Sequence, residues 1–131
     1  MVGGIMKVIV ADDSMLTRKI VIKYLEPLGY SIFQAANGGE VVKILNAGDM
    51  FPDLILMDWN MPVLDGFRVL QMLGKDDRYN TIPIIMLTSE SDDINREKAL
   101  AAGAKGYITK PFTPEDLINT INDILNSEKE T

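Results

Sequence analysis

The chain contains no cysteine and no histidine among its 131 residues. The lack of cysteine excludes disulfides and thiol chemistry. The lack of histidine removes the usual general base, a common metal ligand and the carrier group of a phosphohistidine protein. Any catalysis or metal binding must therefore use carboxylates, hydroxyls, amides and amines.

Long apolar runs and an excess of basic charge are absent as well. No segment approaches the ~20 apolar residues that span a bilayer, and the amino terminus lacks the basic-then-apolar pattern of a signal peptide. The 13 basic and 19 acidic side chains give a formal net charge of -6. This charge disfavours binding to nucleic acid or to an anionic membrane surface. We expect a cytoplasmic protein that binds neither.

The composition that remains is globular, with 47% hydrophobic and 24% charged residues. The length suits one compact domain. We therefore predict that residues 1–131 form a single domain, in which 126–131 are a flexible, solvated tail.

Five short apolar segments alternate with longer amphipathic ones. The predicted strands are Met6–Ala11, Ser31–Ala36, Leu54–Met57, Ile82–Leu87 and Gly106–Thr109. The first, third and fourth are nearly continuous apolar runs, which is typical of strands buried on both faces. Alternation of strand and helix five times predicts an α/β fold, a doubly wound (βα)5 arrangement with a parallel sheet between two layers of helices.

Capping residues and helix breakers place the ends of the helices. Asn37 begins a pattern that resembles a capping box for the second helix. Ser91 is the predicted cap of the fourth helix, which Gly103 ends. Pro114 occupies the first position of the fifth helix, where a missing N–H is harmless.

Residues with charged or hydroxyl side chains follow four of the five predicted strands. They are Asp12 and Asp13 after the first strand, Asp58 after the third, Thr88 and Ser89 after the fourth, and Lys110 after the fifth. Ligands of open α/β sheets bind at the carboxyl ends of the strands. We therefore expect three carboxylates, a hydroxyl and an ammonium group to meet at one edge of the sheet.

Three neighbouring carboxylates repel one another, and at least one should resist ionisation unless a cation is bound. Oxygen ligands without histidine or cysteine favour Mg²⁺, with Mn²⁺ as the alternative ion. An oxygen of Asp58 then remains free to attack phosphorus and form an aspartyl phosphate. Lys110 supplies positive charge and Thr88 a hydroxyl donor for phosphoryl transfer. The pattern predicts a phosphate-accepting site.

Each residue taken alone has a simpler interpretation. Asp12, Asp13 or Ser14 could be only a helix cap, Asp58 could lie in an ordinary turn, and Lys110 could be a solvated lysine. Their joint occurrence at the ends of four different strands is what favours a site.

Four motifs together resemble those of bacterial two-component response regulator receiver domains. They are Asp12-Asp13, the run Met57–Pro62 with Asp65-Gly66, Thr88-Ser89, and Gly106–Phe112. The similarity extends from about Lys7 to Leu125, and the run that begins at Asp58 is most similar to the stand-alone, CheY-like type. The resemblance implies the flavodoxin-like, CheY-like fold with strand order 2-1-3-4-5.

The resemblance also implies roles for the matching acids and lysine. Asp58 would accept the phosphoryl group from a histidine kinase, and Lys110 would contact that group. Asp13 and Asp58 would bind Mg²⁺ directly with the backbone carbonyl of Asn60, whereas Asp12 would act through a metal-bound water.

Further roles concern switching and reset. Thr88 would move toward the phosphoryl group, and Tyr107 would be the switch residue whose inward position accompanies the active state. A simpler interpretation of Tyr107 is an amphipathic ring at the helix–sheet edge. Asn60 and Glu90 would tune dephosphorylation, and the Lys110-Pro111 peptide is expected to be cis.

The implied output surface comprises the fourth helix, the fifth strand and the fifth helix. Its predicted limits are Asp92–Ala102, Gly106–Thr109 and Pro114–Leu125. We expect a monomeric regulator, which catalyses only its own phosphotransfer and dephosphorylation. Its downstream target would be a flagellar motor component or a phosphatase in chemotaxis. A phosphorelay intermediate or an adaptor receiver is the alternative.

Three other classes fit less well. Haloacid-dehalogenase-type phosphatases carry Asp two positions after their first acid, where this chain has Ser14. A flavin carrier needs a Gly/Ser/Thr-rich phosphate cradle after the first strand, and Asp12-Asp13 would repel the phosphate. A receiver-like module that takes no phosphate is disfavoured by the full set of acids, hydroxyl and lysine.

Overall fold

The computed structural model describes residues 5–130, which form five strands and five α-helices. The strands are β1 Lys7–Ala11, β2 Ser31–Ala35, β3 Leu54–Met57, β4 Ile84–Thr88 and β5 Gly106–Thr109. The helices are α1 Met15–Leu25, α2 Gly38–Ala47, α3 Gly66–Gly74, α4 Asp93–Ala101 and α5 Pro114–Glu130, with a 3-10 turn, Glu26–Leu28, after α1. Residues 1–4, part of the segment in which no signal peptide was predicted, and Thr131 lie outside the described residues.

All strand pairs are parallel, in the order β2-β1-β3-β4-β5. This confirms the doubly wound fold and the strand order that the family resemblance implied. The chain reverses its direction of winding between β1 and β3, which lie side by side. A crevice at such a switch point is the usual ligand site of these sheets.

The core has two layers, one on each face of the sheet. Alternate residues of β1 face opposite layers, as the pleat requires: Val8 and Val10 pack with α1 and α5, and Ile9 and Ala11 pack with α2 and α3. All four residues of β3 and all five of β4 are buried. The apolar runs in the sequence therefore mark strands covered on both faces.

Several predicted boundaries were wrong. β1 begins at Lys7 rather than Met6, β2 ends at Ala35 rather than Ala36, and β4 ends at Thr88 rather than Leu87. Local hydrogen bonds explain two further differences. β4 begins at Ile84 because the N–H of Ile82 donates to the carbonyl of Tyr79 in a turn and Pro83 has no N–H. The cap of α4 is Asp92 rather than Ser91, because the Asp92 carboxylate accepts the N–H of Asn95.

Other helix ends agree with the sequence or extend beyond it. Asn37 caps α2, as predicted, and Pro114 is the first residue of α5. Helix α5 includes Asn126–Glu130, so this part of the predicted tail is helical; its Glu and Lys residues have good helix propensity. No helix among residues 5–130 has the length and apolarity to cross a membrane.

Candidate functional site

The three acids predicted to converge do so. Asp12, Asp13 and Asp58 each place a carboxylate oxygen so that the three atoms lie within 4.8 Å of one another. The ladder between strands continues past their ends: the Asp58 N–H donates to the Ala11 carbonyl at 2.9 Å, and the Asp12 N–H donates to the Ala35 carbonyl at 3.0 Å. These backbone bonds hold Asp12 and Asp58 side by side at the switch point.

Burial of polar groups is concentrated at this edge. Among the described residues, the buried polar or charged side chains are Asp12, Asp58 and Thr88, with exposures of 2%, 7% and 0%. Asp13, in contrast, is exposed. Buried charges are costly unless they are paired or bound to a cation. Burial of the Asp12 and Asp58 carboxylates therefore lowers the stability of the fold, and a sheet edge without a functional site would not require it.

Lys110 lies between the two buried acids. Its Nζ donates to Oδ2 of Asp12 at 2.6 Å and to Oδ2 of Asp58 at 3.0 Å. Burial opposes the charge on Lys110, but the hydrogen bonds to Asp12 and Asp58 outweigh it, so its pKa is raised. The peptide between Lys110 and Pro111 is cis, as the resemblance implied.

The Asp12 carboxyl has a raised pKa, chiefly because burial disfavours its charged form and despite its hydrogen bonds to Lys110 and to the Ser14 N–H. One acid of the cluster thus resists ionisation, as expected, but the main cause is burial rather than the predicted repulsion, since the charge of Asp58 raises the pKa of Asp12 least. Oδ1 of Asp58 is buried and, among the described residues, has no hydrogen-bond partner. An unpaired carboxylate oxygen beside two other carboxylates suits a hard divalent cation, so the residues present fit Mg²⁺.

The two predicted switch residues meet at Glu90. The Thr88 hydroxyl accepts the N–H of Glu90 at 3.2 Å, and the Tyr107 hydroxyl donates to the carbonyl of Glu90. Tyr107 is 7% exposed, and the Arg96 guanidinium lies over its ring, 5.7 Å from the centroid. Burial, followed by the charges of Glu90 and Asp92, raises the Tyr107 pKa. Tyr107 is therefore packed inward in this structure.

The two residues predicted to tune dephosphorylation are also in contact. The Asn60 amide donates to Oε1 of Glu90, which links the loop after β3 to the loop after β4. The Asn95 amide makes a longer contact of 3.4 Å to Oε2 of Glu90. Asn95 was missed in the sequence, because nothing in the pattern of α4 indicates which polar residue turns toward the site.

A backbone hydrogen bond and a stacked pair of rings hold the loop between Asp58 and α3 against the start of α3. The Gly66 N–H donates to the Trp59 carbonyl at 2.8 Å, and a Cβ on Gly66 would lie only 1.9 Å from the Asp58 carbonyl oxygen. The Trp59 ring stacks on Phe67 with centroids 4.7 Å apart. Trp59 is therefore a reporter group next to Asp58 and anchored on α3.

The doubly wound sheet, with an acidic cluster and a lysine at its switch point, defines a receiver-type domain. The chain belongs to the response regulator receiver domain family, whose match covers residues 8–122. Receiver domains are regulators of two-component signalling rather than conventional enzymes, and the CheY-like type of receiver fits this chain.

Curated relatives include stand-alone and larger proteins. Chemotaxis protein CheY1 of Helicobacter pylori is 37% identical over 93% of this chain and 98% of its own length. The chain spans only 15% of the sensor histidine kinase CheAY of Helicobacter pylori and 51% of the phosphate regulon transcriptional regulatory protein PhoB of Pseudomonas aeruginosa, each at 35% identity.

Solved structures show the same fold. The chemotaxis response regulator CheY4 of Vibrio cholerae matches with a TM-score of 0.82 and 35% identity, covering 92% of this chain and 99% of that chain. The receiver domain of sensor histidine kinase PA1611 of Pseudomonas aeruginosa was solved with a magnesium ion coordinated in its active-site cleft. It matches with a TM-score of 0.82 and 28% identity, covering 94% of this chain and 99% of that chain.

Proposed function

We propose that this protein is a phosphorylation-activated switch in which Asp58 accepts a phosphoryl group from a histidine kinase. One observation carries the proposal: Oδ2 of Asp58 is held by Lys110, while its Oδ1 is buried with no hydrogen-bond partner among the described residues. One oxygen is thus positioned by a fixed positive charge, and the other is available to a cation.

Asp13 and Asp58 would hold Mg²⁺ directly with the backbone carbonyl of Asn60, and Asp12 would act through water. The magnesium ion in the active-site cleft of the PA1611 receiver domain supports the choice of ion. When bound, the ion would offset the charge of the three carboxylates and of the phosphoryl oxygens. Mn²⁺ offers similar oxygen coordination and is the alternative ion.

The transfer step needs little more than positioning and neutralisation of charge. A carboxylate oxygen of Asp58 forms a bond to phosphorus as the phosphorus–nitrogen bond of the donor phosphohistidine breaks. The electron pair of that bond remains on the imidazole, which leaves as the neutral ring once protonated by solvent. Lys110 pairs with the new phosphoryl oxygens, and the Thr88 hydroxyl donates to one of them after releasing Glu90.

The response would leave through the surface formed by α4, β5 and α5. Movement of Thr88 would change the contacts of Glu90, to which Tyr107 is also bonded. A ligand shifts such an equilibrium only through interactions that differ between the two states, and the phosphoryl group supplies one at Thr88. The downstream partner would be a protein that binds Asp92–Ala102, Gly106–Thr109 and Pro114–Leu125.

Chemotaxis is the pathway that the relatives favour, because CheY1 matches over nearly its whole length. We propose a monomeric, cytoplasmic regulator whose target is a flagellar motor component or a phosphatase, with Asn60 and Glu90 tuning dephosphorylation. The match to PhoB keeps other signalling roles open, including a phosphorelay intermediate or an adaptor. Capture of a motor protein by the beryllofluoride-treated chain, but not by Asp58→Asn, would favour chemotaxis.

Asp58→Asn tests the acceptor directly. With acetyl phosphate and Mg²⁺, the wild-type chain should gain one phosphoryl group by intact-mass spectrometry, and Asp58→Asn should gain none because an amide is a poor nucleophile. Asp53→Asn is the matched control, since Asp53 is exposed before β3 and binds the N–H of Lys7. Undiminished phosphate on Asp58→Asn would refute the assignment.

The cation site can be tested separately through Trp59. Adding Mg²⁺ should change the emission of the wild-type chain, because Trp59 adjoins Asp58 and stacks on Phe67. Asp13→Asn should weaken the affinity for Mg²⁺ on the order of tenfold or more, since it removes a proposed carboxylate ligand. A flat titration of the wild-type chain at millimolar Mg²⁺ would contradict the metal assignment.

A further inference from the structure

The side chain of Arg18, on α1, extends back toward the carboxyl edge of the sheet, where the acidic cluster lies. Arg18 donates from Nη1 to the backbone carbonyl of Asp12 and from Nε to Oε1 of Gln34 at 2.9 Å. Gln34 lies on β2, where it is the partner of Val10 on β1. One planar guanidinium therefore ties the beginning of the β1–α1 turn to the neighbouring strand, which is a use that favours arginine over lysine.

This contact completes the set of bonds that fix Asp12. Its N–H donates to the Ala35 carbonyl, its Oδ1 accepts the Ser14 N–H at 2.8 Å, and its Oδ2 accepts Lys110 at 2.6 Å. With Arg18 on its carbonyl, each polar atom of Asp12 has a protein partner. The orientation of the turn that carries Asp12 and Asp13 is thus set from several sides.

Charge and position make opposite predictions for Arg18. A positive group beside a cation site repels the cation, so its charge alone would weaken binding of Mg²⁺. Its hydrogen bonds act in the other direction, because groups that orient metal ligands strengthen metal binding. The sign of the effect of removing Arg18 therefore separates the two roles.

We propose that Arg18 is a positioning residue of the cation site. By holding the Asp12 carbonyl next to β2, it fixes the β1–α1 turn so that Asp13 reaches the ion directly and Asp12 reaches it through water. This inference rests on the proposed function, because it requires that the acidic cluster binds Mg²⁺.

The test compares Arg18→Met with Lys19→Met, titrated with Mg²⁺ and followed by Trp59 emission. Both variants remove one positive charge from α1, but the side chain of Lys19 is exposed to solvent. Arg18→Met should raise the Kd for Mg²⁺ by about tenfold. Lys19→Met should leave the Kd unchanged or slightly lower. Electron paramagnetic resonance of free Mn²⁺ provides a readout independent of Trp59.

Gln34→Leu breaks the same link from its other end without changing any charge. It should raise the Kd by a smaller factor, because Arg18 keeps its bond to Asp12. The double variant, Arg18→Met with Gln34→Leu, should have the same Kd for Mg²⁺ as Arg18→Met alone, since both changes break one link. Arg18→Lys keeps the positive charge but loses the planar guanidinium that bonds to Asp12 and Gln34 together. Its Kd for Mg²⁺ should lie between those of the wild type and Arg18→Met.

The outcomes are distinguishable. If the wild-type chain binds neither Mg²⁺ nor Mn²⁺, both the proposed function and this inference fail. If the wild type binds and Arg18→Met has an equal or lower Kd, only the role of Arg18 is overturned. Circular dichroism checks the fold; should Arg18→Met not fold, unchanged Kd values for both Gln34→Leu and Arg18→Lys would overturn the proposal.

Discussion

The two edges of the same sheet are built from different side chains. At the amino edge lies a mainly apolar groove, which is bordered by the starts of β1, β3 and β4 and by α5. Its lining residues are Met6, Phe51, Pro52, Asp53, Thr81, Ile82, Pro83 and Leu125. At the carboxyl edge, Asp12, Asp58 and Thr88 are buried. The comparison teaches that apolar burial in the middle and amino half of the sheet stabilises the fold. The buried charged cluster at the carboxyl edge lowers the stability of the fold.

The largest effect should come from the amino edge. Leu54, the first residue of β3, is fully buried, so Leu54→Ala should lower the free energy of unfolding by about 2–5 kcal/mol through lost burial and a cavity. Phe51→Ala is the control, because Phe51 is 52% exposed and loses less buried area. Urea unfolding measures both. A loss for Leu54→Ala no greater than that for Phe51→Ala would break the comparison.

Removing a charge at the carboxyl edge should act in the opposite direction. In metal-free buffer near neutral pH, Asp58→Asn should raise the free energy of unfolding by about 1 kcal/mol, because it removes one of three neighbouring negative charges while Lys110 keeps its hydrogen bond to Asp12. The same change at Asp53, which is exposed, should not stabilise the chain. Equal unfolding midpoints for Asp58→Asn and the wild type would count against a cost at this edge.

A smaller effect should appear in the pH dependence of metal-free stability. The raised pKa of Asp12 means that the folded chain holds this proton more tightly than the unfolded chain, whose carboxyl titrates near its ordinary value of 3.8. The resulting stabilisation is complete below 3.8 and is lost as the pH rises through the raised pKa. As the pH rises through the raised pKa of Asp12, the free energy of unfolding of the Asp12→Asn variant should therefore increase relative to that of the wild type. Parallel pH curves from denaturant unfolding would contradict this.

The fold was predictable where one physical signal dominates. The runs that became β1, β3 and β4 are almost continuously apolar because helices cover both faces of the sheet, and the short length of these runs favours strands over buried helices. Boundaries were less predictable because they depend on single hydrogen bonds. The cap of α4 lies at Asp92 rather than Ser91 because two adjacent residues of similar capping propensity competed, and only the folded geometry decides between them.

The acidic site was predictable because topology alone brings the ends of parallel strands together. Asp12, Asp58, Thr88 and Lys110 needed no knowledge of side-chain orientation beyond their places after the strands. Arg18 was missed for the opposite reason: it lies within α1, and helical periodicity cannot show that its long side chain turns back to a carbonyl in the preceding loop. The inward position of Tyr107 depends in the same way on a rotamer.

The close approach of Gly66 to the Asp58 carbonyl has a consequence for how freely this chain could vary. Gly29 and Gly48 have positive φ but open space around the missing Cβ, so asparagine could replace either at modest strain. At position 66 the obstacle is backbone, which cannot rotate away as a side chain can. In a library randomised at all three positions and sorted for phosphate uptake, we expect diversity at 29 and 48 and glycine alone at 66.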